Sequence, residues 1–110
     1  MEKLVKGDIV VIPFPYSDLS NTKRRPAFVI TSFPNMEVIL CQITSQKPID
    51  GYSVRINNSD FADGSLHQES FIRINRIFTA DQNIVLYKAG SLQSNLAEEI
   101  INKVICLIRS

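Results

Sequence analysis

Residues 23–46 read KRRPAFVITSFPNMEVILCQITSQ, in which two apolar runs are separated by a turn-forming FPN. The first run, residues 27–30, follows three cations and a proline, and the second, residues 38–43, is followed directly by Thr44. Short runs of this composition predict two adjacent β-strands. One strand would deliver guanidinium groups and the other a hydroxyl to the same place, which favours a phosphate-binding site. Taken singly, each motif is more typical of a solvated turn and of an ordinary strand end.

The composition indicates one globular domain covering residues 1–110, with 45% hydrophobic and 21% charged residues. The net charge of +1 gives no general attraction to nucleic acid, so any basic surface must be local. The N-terminus lacks the apolar stretch of a secretory signal, and no apolar run is long enough to span a bilayer. We therefore expect a cytoplasmic protein without a membrane partner.

The remaining pattern predicts a mainly β chain with a C-terminal α-helix, arranged as a small barrel. The helix is expected over Leu96 to Arg109, with Asn95 as N-cap and Glu98 completing a capping box. Its apolar face, residues 100–108, would cover the open side of the barrel. Five or six short strands are predicted before it, at residues 9–12, 26–31, 38–43, 52–56, 68–79 and 84–87, and Gly90 would release the chain into the helix.

The predicted strand over residues 68–79 contains the next candidate for chemistry. The two-residue side-chain period places Arg73 and Asn75 on one side of this strand. The same period places Ile72, Ile74 and Phe78 on the other side. Arg73, on the side opposite these apolar residues, is the candidate site residue of this strand.

Several chemistries lack the residues they need. The single histidine, His67, and the isolated Cys41 and Cys106 form no zinc-spaced cluster and no motif for nucleophilic catalysis. Both cysteines are interpreted as small buried hydrophobes. The four glycines are too scattered for a phosphate-binding loop or a dinucleotide fingerprint. We expect neither a metal nor an organic cofactor.

Cleavage of RNA by its own 2′-hydroxyl is a reaction that such a chain could still perform. The reaction needs a base, a stabiliser for charge on the phosphoryl oxygens and a proton donor for the leaving oxygen. Guanidinium groups supply the second need through forked hydrogen bonds to phosphate. Because the nucleophile belongs to the substrate, the protein need not provide one.

The order of the motifs resembles the MazF/PemK toxins of type II toxin-antitoxin systems. The resemblance spans nearly the whole chain, including residues 90–92 and the terminal helix. No single motif is specific, but five occur in the family's order. They are residues 7–10 (GDIV), 13–15 (PFP), 24–31 (RRPAFVIT), 42–46 (QITSQ) and 71–79 (FIRINRIFT).

This resemblance implies an SH3-like barrel, a homodimer and a ribosome-independent endoribonuclease that cuts single-stranded RNA at short motifs. It also implies products with a 2′,3′-cyclic phosphate and a 5′-hydroxyl, formed without a metal. The implied partner is a small cognate antitoxin whose acidic or disordered tail would occupy the basic groove of residues 23–25 and Arg73.

Family roles map onto individual positions of this sequence. By the resemblance, Arg25 is the catalytic arginine, Thr44 holds the scissile phosphate, and Arg73 acts as acid or phosphate stabiliser. The segment from Ser17 to Arg24 matches a mobile loop that closes over RNA and is displaced by the antitoxin. The residues expected to contact RNA are Ser17, Asn21, Lys23, Arg24, Ser45, Gln46 and Asn75.

Two positions depart from the family pattern. Asn75 stands where several members have an aspartate, and an amide cannot accept a proton at neutral pH. Phe78 stands where several relatives have a second arginine, which removes a phosphate contact. Both departures keep open a second interpretation, a relative that binds antitoxin or RNA without cleaving.

Two further interpretations follow from the fold class. A gyrase-inhibiting toxin shares this barrel but depends on a tryptophan near its C-terminus, and this chain contains no tryptophan. A non-catalytic SH3-like RNA-binding module would use Tyr16, Tyr52 and Phe71 as stacking platforms. Aromatic residues at such positions are more often part of a core.

Overall fold

The computed structural model describes residues 3–14 and 23–110. Its described part contains one seven-stranded antiparallel sheet, in the order β4-β6-β3-β2-β1-β7-β5, followed by one helix. The sheet curls into a half-barrel, which confirms the predicted mainly β fold with a C-terminal helix. The elements are β1 (Asp8–Phe14), β2 (Lys23–Ser32), β3 (Glu37–Thr44), β4 (Ser53–Ile56), β5 (Phe61–Gly64), β6 (Ser70–Asp81), β7 (Tyr87–Leu92) and α1 (Ser94–Arg109), with 3₁₀ turns at Asn58–Asp60 and Gln82–Ile84.

The sheet buries apolar side chains on both of its faces. One face, here called the helix face, packs against α1 through a cluster that includes Phe28, Ile43, Ile72 and Ile100. The opposite face, here called the second face, packs a separate cluster of Leu4, Val10, Ile12, Ala27, Val29, Val38, Leu40 and Val85. Central strands therefore read as continuous apolar runs, as strands buried on both faces do.

A buried carboxylate fixes the start of β1. Asp8 is 1% exposed. Its Oδ2 accepts the Val5 amide at 2.9 Å, and its Oδ1 accepts the Ser91 hydroxyl at 2.9 Å. Lys88 Nζ lies 3.2 Å from Oδ1. The Gly7-Asp8 motif thus has a structural role, and Gly7 itself has φ +93°, a conformation that favours glycine.

The predicted strand at residues 84–87 is wrong, because Gln82–Ile84 forms a 3₁₀ turn and β7 begins at Tyr87. The strand β5 was not predicted. Gly90, expected to release the chain into the helix, lies inside β7 opposite Gly64. A Cβ atom on Gly90 would lie 2.3 Å from the Asp63 carbonyl oxygen. Gly64 and Gly90 therefore allow β5 and β7 to pair closely. Because glycine in a sequence usually indicates a turn, the sequence did not predict either strand at these positions.

The predicted start of the helix is also wrong. The N-cap of α1 is Gln93, whose side chain makes no capping hydrogen bond, so Asn95 and Glu98 do not form a capping box. Tertiary contacts fix the helix start instead, since the Gln93 amide donates to the Asp60 carbonyl at 3.0 Å. Its side-chain amide also donates to the Ser59 carbonyl at 3.1 Å.

The exposure of α1 differs from its hydrophobic pattern. Ala97, Ile100 and Val104 are buried, whereas Ile105 and Ile108 are 41% and 69% exposed. Cys106 is exposed too, which contradicts its interpretation as a buried hydrophobe. The prediction holds for Cys41, which is fully buried, and this burial raises the pKa of its thiol to about 12. A helix packed on a curved sheet covers only a narrow stripe of its surface.

Candidate functional site

Arg25 and Thr44 lie on the same face of the β2–β3 pair. Ala27 is directly opposite Gln42, and the register runs without interruption through Phe28 and Val29. Arg25 and Thr44 are each two residues beyond this pair, in the same direction along the sheet. Because side chains repeat every two residues, both belong to the face of Ala27, which is the second face.

Arg73 lies on that same face, on the neighbouring strand β6. Thr44 is directly opposite Phe71, and Arg73 follows Phe71 by two residues. On the other side of β6, Arg73 pairs with Ser53. The intervening Ile72 belongs to the cluster of the helix face. Three strands therefore present Arg25, Thr44 and Arg73 on one surface, as their proposed common role requires.

A large bulge in β6 separates this surface from the far half of the strand. Cys41 pairs with Ile77 and Ile43 with Ile72, so residues 73–76 of β6 bulge opposite Gln42 of β3. The inserted residues reverse the faces beyond the bulge. Phe78 accordingly packs with the second-face cluster, not with Ile72 and Ile74 as predicted.

Phe78 is occupied by aromatic packing. Its ring meets Phe14 edge-on, with centroids 6.0 Å apart and an interplanar angle of 75°. Such T-shaped pairs are stabilising in apolar surroundings. Phe78, where the family resemblance implied a second arginine, therefore belongs to apolar packing in this chain.

The Thr44 hydroxyl is fixed by the turn that follows it. Its Oγ1 accepts the backbone amide of Gln46 at 3.1 Å. With one lone pair used in this way, the hydroxyl can still donate its hydrogen. Ser45 and Gln46 are exposed immediately beyond it, so a ligand at Thr44 can reach all three residues.

Arg73 is held by a carboxylate that the sequence did not indicate. Its Nη2 lies 2.9 Å from Oδ2 of Asp50, and the Asn75 amide donates to the same oxygen at 3.4 Å. The Arg73 side chain is 21% exposed and the Asp50 side chain is 30% exposed, so solvent reaches the ion pair, mainly on the side of Asp50. Asp50 thus joins the loop between β3 and β4 to the bulge of β6.

The guanidinium of Arg73 is only partly satisfied in this arrangement. Its Nε atom is buried and has no hydrogen-bond partner in the described part of the chain. A buried donor without a partner costs about 1–3 kcal/mol, and more when it is charged. This geometry suits a site that accepts a further anionic oxygen.

The pKa of Asp50 is lowered from its ordinary value, so the carboxylate is ionised at neutral pH. The largest cause is the hydrogen bond from the Tyr52 amide to Oδ1 at 3.0 Å, followed by the hydrogen bond from Arg73. In sequence, Asp50-Gly51 signals only a turn. Its contact with Arg73 spans 23 positions and leaves no periodic signal.

The remaining expected RNA contacts are distributed unevenly. Lys23 is exposed and shares the face of Arg25, whereas Arg24 is exposed but alternates to the other face. Asn75 is exposed at the bulge. Ser17 and Asn21 lie outside the described residues, as does most of the predicted loop from Ser17 to Arg24.

Other features of the described residues lie away from this surface. A cavity of about 810 Å³ lies between α1 and β4, on the helix face, and its lining includes Tyr52, Val54 and Cys106. Within residues 3–14 and 23–110, His, Cys, Asp and Glu side chains form no group of three suited to a metal ion. In the same ranges the structure contains no helix with the length and hydrophobicity required to span a bilayer.

Known structures with a similar fold are toxins and their complexes. A MazE-MazF structure from Deinococcus radiodurans aligns with a TM-score of 0.76 and 15% identity, covering 96% of each chain. An endoribonuclease in complex with its cognate antitoxin, from a mycobacterial species, aligns with a TM-score of 0.72 and 12% identity, covering 96% of this chain and 93% of that one. The toxin MazF-mt6 of Mycobacterium tuberculosis gives a TM-score of 0.62 and 17% identity, covering 87% and 91%.

Sequence comparison identifies the family directly. A search of curated proteins found no match. The sequence model described as PemK-like, MazF-like toxin of type II toxin-antitoxin system matches residues 5–108. Because this match spans nearly the whole sequence and agrees with the fold, the chain belongs to the PemK-like, MazF-like toxin family of type II toxin-antitoxin systems.

Proposed function

We propose that the protein is a sequence-specific endoribonuclease toxin that cleaves single-stranded RNA by attack of the 2′-hydroxyl. The observation that carries this proposal is the placement of Arg25, Thr44 and Arg73 on one face of three adjacent strands. Family membership and the endoribonucleases among the structural neighbours support it. The products would be a 2′,3′-cyclic phosphate and a 5′-hydroxyl.

The catalytic proposal assigns one task to each group. Arg25 and Arg73 bind the non-bridging oxygens of the scissile phosphate and stabilise the charge that develops on them. Thr44 donates its hydroxyl hydrogen to the same phosphate. Two guanidinium groups supply the electrostatic stabilisation that a divalent cation would otherwise give, so we expect cleavage to proceed without metal.

Base recognition is proposed for the exposed residues around this surface. Ser45 and Gln46 follow Thr44 directly, and Asn75 lies beside Arg73. These side chains can donate and accept hydrogen bonds on base edges. With Lys23 and Arg24 at the start of β2, and with Ser17 and Asn21 outside the described residues, they complete the proposed RNA contacts.

We propose that a cognate antitoxin inhibits the toxin by covering the same surface. Arg73 already binds a carboxylate, that of Asp50, within the chain. An acidic antitoxin segment could bind Arg25 and Arg73 by the same chemistry and exclude the RNA phosphate. The structural neighbour in complex with its cognate antitoxin favours this partner. The family resemblance leads us to propose a cytoplasmic homodimer as the assembly.

The test is cleavage of a long single-stranded RNA by the purified protein in EDTA, with new 5′ ends mapped. We expect cuts at a recurring short motif that Arg25→Ala abolishes. Arg25→Lys should also lose most activity, because an ammonium cannot form the guanidinium fork. Arg109→Ala, at the last residue of α1, is the matched control and should cleave normally.

Either alternative result would be informative. Intact RNA, beside an active relative as positive control, would refute the enzyme and favour a relative that binds antitoxin or RNA without cleaving. Cleavage that EDTA abolishes and Mg²⁺ restores would refute metal independence but leave the nuclease in place.

A further inference from the structure

The proposed reaction requires a group that accepts the proton of the 2′-hydroxyl, and this inference rests on that proposed function. Asn75 cannot supply the group, because a neutral amide is not a base near pH 7. Its Nδ2 is instead a donor, 3.4 Å from the Asp50 carboxylate. A proton acceptor therefore has to come from another part of the chain.

Asp50 lies where that acceptor is needed. Its Oδ2 is 2.9 Å from Nη2 of Arg73, so it contacts a residue proposed to bind the scissile phosphate. The 2′-hydroxyl is attached to the sugar next to that phosphate, so a group beside Arg73 can reach it. The carboxylate comes from the loop between β3 and β4, which begins just after Thr44.

Other carboxylates in the described ranges have different surroundings. Asp8 is buried beneath Ser91 and Lys88, and Glu69 pairs with Arg55. Glu37 and Asp81 lie opposite each other at the far end of β3 and β6. Asp60 accepts the Asn57 amide, and Glu98 pairs with Lys6. Among residues 3–14 and 23–110, Asp50 is the carboxylate recorded in contact with Arg73.

We propose that Asp50 is the general base of RNA cleavage, replacing the aspartate that this chain lacks at position 75. Its carboxylate takes the proton from the 2′-hydroxyl as the 2′-oxygen forms its bond to phosphorus. The bond from phosphorus to the 5′-oxygen then breaks, and that oxygen leaves with the electron pair and takes a proton from water. Asp50 afterwards returns its proton to solvent.

Arg73 links substrate binding to the strength of this base. Its Nε has no hydrogen-bond partner within the described residues and is therefore available as a donor to a phosphate oxygen. A phosphate that draws the guanidinium away from Oδ2 removes one of the contacts that hold the Asp50 pKa low. Asp50 would then become more basic when substrate is in place, while remaining ionised at neutral pH.

The test compares Asp50→Asn with wild type in single-turnover cleavage and in binding to RNA with a 2′-deoxy group at the cut site. We expect cleavage to fall by roughly 10²- to 10⁴-fold, the usual contribution of a general base. Affinity for the uncleavable RNA should change by less than about threefold, which is about 0.7 kcal/mol at 1.4 kcal/mol per tenfold. Asp63→Asn, on the opposite edge strand β5, is the matched control and should cleave normally.

The pH profile and a rescue variant separate a base from a structural residue. The charged group in contact with Asp50 is Arg73 on β6. Lys47 belongs to the same loop as Asp50, and Asn75, which donates to the carboxylate, is uncharged. Wild type should therefore cleave at a nearly constant rate from pH 6 to 8, whereas the rate of Asp50→Asn should rise with pH as hydroxide replaces the base. Adding Asn75→Asp to Asp50→Asn should restore at least about tenfold of the lost rate.

The outcomes distinguish this inference from the proposed function. Wild-type protein that cleaves no RNA refutes both. Equal cleavage by wild type and Asp50→Asn refutes only the role of Asp50 as a base. Faster cleavage by Asp50→Asn also refutes that role, because it would mean that the carboxylate competes with the RNA phosphate for Arg73. If circular dichroism shows that Asp50→Asn does not fold, Asp50→Glu is tested in its place. If Asp50→Glu folds but is inactive, and Asn75→Asp does not restore its activity, Asp50 is not the general base.

Discussion

At the scale of single residues, Thr44 illustrates how one hydroxyl can serve both fold and ligand. Its oxygen accepts the Gln46 amide at 3.1 Å, which fixes the rotamer at the end of β3. The hydroxyl hydrogen is not used in this contact, so it remains able to donate. A site built in this way needs the hydroxyl itself, not the shape of the side chain.

Replacing Thr44 separates these two contributions. Thr44→Val keeps the branched shape but removes the hydroxyl, and we expect cleavage to fall by about 10²- to 10³-fold, as when one oxyanion donor is lost. Thr44→Ser keeps the hydroxyl and should stay within about tenfold of wild type. Single-turnover cleavage of one short RNA measures both. Wild-type rates in Thr44→Val would remove this residue from the catalytic set.

Sequence reasoning indicated some residues of the proposed site and missed another, Asp50, for a physical reason. Arg25 precedes one apolar run and Thr44 follows the next, so a short turn between the runs and a two-residue side-chain period bring them together. Asp50 reaches Arg73 only when a loop folds onto a bulge in β6. Neither the path of this loop nor the bulge produces a periodic pattern in the sequence. The contact of Asp50 with Arg73 is therefore visible only in the structure.

At the scale of secondary-structure elements, the curvature of the sheet decides which parts of α1 are buried. Ile100 is fully buried against the sheet, whereas Ile108, two turns later, is 69% exposed. The hydrophobic pattern assigned both to one covered face. The sequence pattern also did not reveal β5 and most of β7. Gly64 and Gly90 pair with each other and permit close approach of the two strands, but glycine in a sequence indicates a turn.

Truncating the two isoleucines tests this description of α1. Ile100→Ala removes a fully buried side chain and should lower the free energy of unfolding by about 2–5 kcal/mol. Ile108→Ala is chemically the same change at an exposed site, and we expect an effect within about 0.5 kcal/mol. Urea unfolding at two protein concentrations measures both. A large, concentration-dependent loss in Ile108→Ala would show instead that a second subunit covers this end of the helix.

At the scale of the whole molecule, the net charge is close to zero, but basic side chains are concentrated on one face. The chain has 12 basic and 11 acidic side chains. Lys23, Arg25 and Arg73 nevertheless share the second face. Arg55, on β4, is paired with Glu69 at 3.2 Å and contributes less. An RNA strand would therefore meet a local basic surface on a nearly neutral protein.

The salt dependence of RNA binding tests this local surface. Contacts from Lys23, Arg25 and Arg73 to phosphates should give log Kd a slope of about 2 against log salt, at roughly 0.7 per contact for single strands. Arg25→Ala should lower that slope by about 0.7, because the variant has lost one phosphate contact and the counterion release that goes with it. The measurement is a titration of 2′-deoxy-substituted RNA between low and moderate salt. Lys103→Ala, on α1, should leave the slope unchanged, and an equal decrease in both variants would mean that RNA responds to net charge and not to this face.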